Sequence, residues 1–182
     1  MQRDGLAIVE QDIIPALDSV GVGFEEKRIY LPQLLMSAEA AGAAFDVIRK
    51  NMPERQESNG EGIVLATVKG DIHDIGKNIV KLLLQNYGYN VIDLGRDVDA
   101  ESVVSAARDN GVRLVGLSAL MTTTVPSMKQ TIEALHKALP QCKVVVGGAV
   151  LTPEYAQKIG ADRYAKDAME TVRIAEEILG KQ

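Results

Sequence analysis

Ile63-Val64-Leu65-Ala66-Thr67-Val68 passes into the turn Lys69-Gly70-Asp71-Ile72-His73-Asp74-Ile75-Gly76 and then into a helical stretch, Lys77–Tyr87, that stops at Gly88. An apolar run this short, bounded by turn residues, reads as a buried strand. The same alternation repeats downstream. Val91–Leu94 reads as a strand, Glu101–Asn110 as a helix closing on Gly111, and Leu114–Leu117 as a strand followed by a helix from Pro126 to Leu139. Lys143–Val146 is a further strand, then comes a short helix ending at Gly160, a weak strand at Arg163–Ala165 and a last helix running to Leu179. Strands alternating with helices imply parallel pairing through right-handed crossovers. The expected fold is α/β, a doubly wound five-stranded parallel sheet of Rossmann-like or flavodoxin-like type. In such sheets ligands bind beyond the carboxyl ends of the strands, near the point where strand order reverses. Functional residues are therefore expected just after strands one, three, four and five.

Upstream the period changes. Leu34, Leu35, Ala38, Ala41, Phe45 and Ile48 recur at helical spacing, with Pro32 where a first helical turn tolerates it. Leu6, Val9, Ile13, Leu17 and Val20 form an earlier helical set. Pro15 falls inside that set and, lacking an amide donor, is expected to bend or restart the helix. The polar stretch from Asn51 to Gly62, with Pro53 and Asn59-Gly60, has the composition of a linker. The expected division is a helical segment over residues 1–52, a linker over 53–61 and the sheet domain over 62–182.

Composition narrows the function. Of 182 residues 46% are apolar, which is enough for packed cores. The net charge is −5 with scattered basic residues, which disfavours a nucleic-acid partner. No run reaches the ~18 to 20 apolar residues of a membrane span, and the N-terminus lacks a targeting pattern. A cytoplasmic, soluble protein is the simplest reading. The single Cys142 rules out an internal disulfide or a zinc site built from several thiolates.

The loop after strand one fails as a phosphate-binding P-loop, because its glycines stand one residue too far apart and Asn78 replaces the required Ser or Thr. No dinucleotide fingerprint is present. What remains is D-x-H-x-x-G, an imidazole with a carboxylate two residues before it. A metal-binding histidine usually donates its other ring N–H to a carboxylate, which fixes the tautomer. A loop histidine with an ordinary hydrogen bond is the plain alternative. After strand three comes Ser118-Ala119-Leu120-Met121-Thr122-Thr123-Thr124, after strand four Gly147-Gly148-Ala149, and after strand five Ala165-Lys166-Asp167-Ala168. Paired glycines there make either a simple turn or room for a bulky ligand.

Taken together, D-x-H-x-x-G, S-x-L and G-G in this order resemble the cobalamin-binding domain of methionine synthase, corrinoid methyl-carrier proteins and cobalamin mutases. The helical segment with Phe24 and Tyr30-Leu31-Pro32-Gln33 resembles a truncated form of the methionine synthase cap over the corrin, with two readable helices where the family has four. Ala66-Thr67-Val68-Lys69-Gly70-Asp71 and Gly147-Gly148-Ala149 look nearest to the methionine synthase type. The resemblance implies cobalamin, as methylcobalamin, bound with its own base detached and His73 as the lower cobalt ligand. Asp71 would accept the His73 ring proton, and Thr124 would complete the relay where methionine synthase has a serine. Ser118 and Thr122 would contact the buried base and tail, and Gly147 and Gly148 would make room for that tail. Gly70, Ile72, Asp74, Gly76, Leu120 and Ala168 would complete the cofactor contacts, with Glu10, Phe24 and Leu31 above the corrin.

On this reading the chain carries a methyl group between two active sites. A protonatable histidine–carboxylate pair can take up a proton as the lower ligand leaves. The leading expectation is the cobalamin module of methionine synthase, moving methyl from methyltetrahydrofolate to homocysteine. The alternative is a free-standing corrinoid protein of a methanol, methylamine or methoxy methyltransferase system, and a cobalamin-sensing regulator is a third class. Expected partners are methyl-donor and methyl-acceptor methyltransferase domains and a reductive reactivation partner, with no turnover by the chain alone. The mutase class runs radical rearrangements without a methyl-shielding cap, which Phe24 and Leu31 argue against. A receiver-type domain gives no reason for the coincidence of motifs. His136, mid-helix without a metal partner at helical spacing, reads as surface or packing. Cys142 reads as a small core residue, and Met36, Met52 and Met128 as apolar fillers.

Overall fold

The computed structural model describes residues 5–51 and 62–180. The chain forms two compact units, Met1–Gln56 and Glu57–Gln182. The linker expected over 53–61 lies outside the described residues, as does Met52.

In the first unit, α1 (Gly5–Ile8) runs through a π turn, Val9–Ile13, into α2 (Ile14–Glu25), and α3 spans Leu31–Asn51. Pro15 stands at the start of α2, where α-helical geometry resumes after the π turn. Its ring crowds the carbonyl four residues back, and the widened turn just before it accommodates this, with the Ile14 amide donating to the Val9 carbonyl five residues away. Tyr30-Leu31-Pro32-Gln33 is the start of α3: the Tyr30 amide donates to the Gln33 side chain at 2.8 Å, half of a capping box. Val9, Ala41 and Ile48 are buried, whereas Met36, expected as a filler, is 69% exposed.

The second unit is a five-stranded, all-parallel sheet in the order β2-β1-β3-β4-β5. Its strands are β1 (Gly62–Thr67), β2 (Asn90–Asp93), β3 (Leu114–Ser118), β4 (Lys143–Gly147) and β5 (Arg163–Tyr164). The crossover helices are α4 (Ile75–Asn86), α5 (Ala100–Asp109), α6 (Val125–Ala138) and α7 (Pro153–Lys158), and α8 (Ala168–Leu179) closes the chain. These bounds lie within a residue or two of the expected ones.

Strand alternation decides the layers. Val64, Ala66, Val115, Leu117, Val144 and Val146 face one core with Val103, Val104, Ala107 of α5 and Met128, Ile132, Leu135 of α6. α4 and α8 pack together on the opposite side, where Leu83, Leu84 and Ala175 are fully buried. The order reverses between β1 and β3, so their loops diverge to opposite faces and leave a crevice at their carboxyl ends.

That crevice is closed on the β4 side by glycine. Gly148 has φ of +134°, and a Cβ there would overlap the Ala119 carbonyl oxygen, while a Cβ on Gly147 would meet the Ala165 carbonyl oxygen at 3.2 Å. The glycine pair lets the loops after β3, β4 and β5 lie against one another at the mouth of the crevice. Gly148→Ala is expected to destabilise the protein by more than about 1 kcal/mol, since strain and overlap add. Gly42→Ala, in open space on α3, is expected to be neutral or to stabilise by up to about 1 kcal/mol. Urea unfolding of both variants checks the contrast.

Candidate functional site

The site begins where β1 ends. Past Val68, which bridges to Val98, the chain turns tightly, with the Asp71 amide donating to the Val68 carbonyl at 3.0 Å. This turn buries the Asp71 side chain completely. A buried carboxylate needs hydrogen bonds to replace water, and Asp71 has them on both oxygens. Oδ1 accepts the His73 amide at 2.9 Å and lies 2.8 Å from His73 Nδ1. Oδ2 accepts the Leu120 amide at 2.7 Å and the Met121 amide at 3.2 Å, and Thr124 Oγ1 stands 3.1 Å away. The single Thr124 hydroxyl proton is shared with the Met121 carbonyl at 2.8 Å. One carboxylate therefore joins the loop after β1 to the loop after β3, across the switch point.

Burial pushes the Asp71 carboxyl up, but the His73 and Leu120 amides, the His73 ring and the Thr124 hydroxyl outweigh it and hold it at about 2. The group is ionised at neutral pH and can only accept. His73 Nδ1 must therefore carry its hydrogen, and in the neutral ring Nε2 keeps the lone pair. The His73 side chain is 45% exposed, and its Nε2 makes no hydrogen bond among the described residues. The ring is anchored at one nitrogen and offered at the other. Beside it Ile72 and Leu120 are 61% and 43% exposed, an apolar rim on the two loops that Asp71 joins.

This donor set can be tested against a corrin-held cobalt. Among the described residues no group of three or more His, Cys, Asp or Glu could hold a bare ion. One outward imidazole with an apolar rim fits a metal that brings its other ligands in a large, mostly apolar ring.

The remaining expected residues lie around this centre. Ser118 ends β3 and is half-buried, and Thr122 is exposed at the start of the short 3₁₀ turn Thr122–Thr124. Gly70 donates its amide to Asp97 at 2.8 Å. Asp74 precedes the first turn of α4, with no capping bond from its side chain, and Gly76 is exposed within that turn. Ala168 opens α8, half-buried, beside Asp167, which caps the helix by accepting the Glu170 amide at 2.7 Å. The side chains of Glu10, Phe24 and Leu31 lie outside those described. His136 pairs with Asp162 at 2.8 Å at the amino end of the sheet, where Asp162 also takes Lys143 and the Val144 amide. Cys142 is buried, and burial with the nearby Asp162 pushes its thiol up to about 11, so it is an inert core residue.

Residues 61–173 match the family model described as B12 binding domain, and residues 3–49 match a second model of the same description. The chain belongs to the B12-binding proteins. Its cofactor is a corrinoid. This B12-binding chain is 41% identical, over 98% of its own length and 85% of the relative's, to dimethylamine corrinoid protein 1 of Methanosarcina acetivorans. Among solved structures it resembles the monomethylamine corrinoid protein of Methanosarcina barkeri, with a TM-score of 0.83 and 32% identity over 97% of this chain and 84% of that one. It also resembles a chain of the methanol:cobalamin methyltransferase complex MtaBC of Methanosarcina barkeri, with a TM-score of 0.65 and 30% identity over 98% of this chain and 69% of that one. These relatives support the expected family and sheet. They do not support the methionine synthase type, and they favour the corrinoid-protein alternative.

Sequence reasoning missed the amides of Leu120 and Met121, because a backbone donor leaves no trace in residue identity. It also missed Lys77, Asp93 and Asp97. A lysine on the apolar face of amphipathic α4 was the available signal for Lys77.

The lowered Asp71 carboxyl implies an acid dependence of the apo protein. Its depressed value contributes about 2 kcal/mol to stability above pH ~4, and this is lost as pH falls towards ~2. Asp71→Asn sets an amide donor against backbone donors and is expected to cost about 2 kcal/mol at neutral pH. In urea unfolding, the gap between variant and wild type is expected to narrow between pH 4 and 2. A gap that stays constant would contradict the ionised, acceptor-only role.

Proposed function

We propose that this chain is the methyl carrier of a methylamine- or methanol-type methyltransferase system, with His73 as the lower ligand of the corrinoid cobalt. The observation that carries the reading is the His73 ring, tied through Nδ1 to buried Asp71 with Nε2 free at the sheet mouth. When bound, the corrinoid supplies a metal that accepts a methyl group from one methyltransferase and gives it to another. Support for this system over methionine synthase comes from relatives named for dimethylamine and monomethylamine, and from the methanol:cobalamin methyltransferase complex, aligned over nearly the whole chain.

The chain's own residues orient and protonate. Asp71 fixes the tautomer of His73 and holds its ring in one direction, so little rotational entropy is lost on coordination. Were the ring to leave a bound metal, its outward Nε2 would be the atom open to a proton from solvent, and Asp71 would hold the Nδ1 side across 2.8 Å, while Thr124 and the Leu120 and Met121 amides keep the carboxylate an acceptor. Ser118, Thr122, Ile72 and Leu120 line the crevice on the side of the cofactor's lower face. Phe24 and Leu31 would shield the methyl group, with Glu10 as a further cofactor contact, a part of the proposal supported by the match of residues 3–49 to the second B12 model. The partners on this reading are the donor and acceptor methyltransferases and a reductive reactivation protein.

Purified protein is expected to bind methylcobalamin with a visible spectrum distinct from that of the free, base-on cofactor. His73→Gly is expected to retain binding but give the spectrum of cobalt without a lower nitrogen ligand. A variant spectrum identical to the wild type's would remove His73 from the metal.

A further inference from the structure

The loop that presents His73 is held from the β3 side through Asp71, but it is also fastened to the end of β2, which contributes nothing to the cofactor site described above. The fastening has two parts. Before the histidine, Asp97 Oδ1 accepts the Gly70 amide at 2.8 Å, and the Asp97 amide donates to the Asp71 carbonyl at 3.0 Å. Lys69 lies against the same carboxylate at 3.1 Å. After the histidine, Lys77 on the first turn of α4 reaches Asp93, the last residue of β2, at 2.6 Å. Asp93 also accepts the Gly95 amide at 2.9 Å and pairs with Lys81 at 3.1 Å.

Two features mark these contacts as more than packing. Lys77 is 3% exposed, and a buried ion pair generally stabilises a protein no better than apolar residues of similar volume. Asp97 has φ of +56°, a left-handed conformation that a side chain disfavours, in a position that glycine would occupy without strain. The Lys69–Asp97 pair is exposed and adds little by itself. What the strained aspartate gives, and glycine could not, is an acceptor for the Gly70 amide next to the buried carboxylate.

We infer that Asp97 and the Lys77–Asp93 pair are positioning residues that brace the His73 loop against the end of β2 and set how fully the imidazole coordinates. The inference rests on His73 ligation as proposed above. The loop runs seven residues, Val68 to Asp74, from β1 to α4, and pinning it on both sides of His73 leaves the ring less room to withdraw.

The test uses the full chain loaded with methylcobalamin, reading the fraction with nitrogen-off cobalt from the visible spectrum, beside urea unfolding of the apo protein. Asp97→Gly relieves the backbone strain and removes the acceptor. Asp97→Asn keeps an acceptor and, like the aspartate, occupies the left-handed backbone at less cost than other side chains. Lys77→Met keeps volume and leaves Asp93 paired with Lys81. Asp97→Gly and Lys77→Met are each expected to raise the nitrogen-off fraction at least threefold with apo stability close to wild type, and Asp97→Asn is expected to match the wild type. Glycine behaving like the wild type at 97, with Lys77→Met equally silent, would overturn the brace while leaving His73 ligation standing. Should the wild type already show the spectrum of His73→Gly, ligation itself fails and the brace with it. A change only in stability would make both contacts structural and also overturn the inference.

Discussion

The buried carboxylate of Asp71 is the constraint on which the rest of the site depends. It lies where β1 and β3 part, fully removed from solvent, and is satisfied only because two amides from the β3 loop, one from its own loop, a ring nitrogen and a hydroxyl converge on it. Take away the β3 loop and the charge would be stranded. Take away the carboxylate and three backbone donors, the amides of His73, Leu120 and Met121, would lose their acceptor, each costing about 1–3 kcal/mol where water cannot replace it. The imidazole that leaves the protein surface does so because this carboxylate holds its inner nitrogen.

The sheet makes that convergence possible. In the order β2-β1-β3-β4-β5, the crossovers from β1 and β3 go to opposite faces, so the two loops share a crevice without competing for it. The Gly147-Gly148 pair lets the neighbouring loops close up to Ala119 and Ala165, which fixes the far wall. The helices of the first unit need no such precision at their start: the proline in α2 is accommodated by one widened turn before it, and α3 begins on a side-chain cap.

Much of this was legible in the sequence, and for physical reasons. Buried parallel strands are short apolar runs, and their helices stop on glycines such as Gly88 and Gly111, so order and approximate bounds could be read directly. The D-x-H spacing carried the His73–Asp71 contact, because two residues are what a carboxylate needs to reach back to a ring beside it. The hydroxyl row after β3 held Thr124 but gave no sign that the Leu120 and Met121 amides do most of the bonding there. Gly147 and Gly148 were recognisable as special positions, yet their reason is a neighbouring carbonyl, which depends on a fold that spacing alone does not draw. Met36, an apolar filler by residue type, lies outside the periodic set and faces solvent. The methionine synthase reading came from shared loop wording, which belongs to the cofactor rather than to the methyl donor. Relatives over the whole chain point elsewhere.

The central claim is that the outward nitrogen of His73 meets cobalt. Electron paramagnetic resonance of the cobalt(II) form, on protein grown with nitrogen-15 histidine and loaded with unlabelled cofactor, tests it at the atom concerned. The other histidine, His136, is engaged with Asp162 at the amino end of the sheet and does not confuse the reading. Coordination by His73 gives a superhyperfine triplet from the axial nitrogen in unlabelled protein that becomes a doublet on labelling. A triplet that survives labelling would mean that the cofactor's own base is the ligand and would contradict the account.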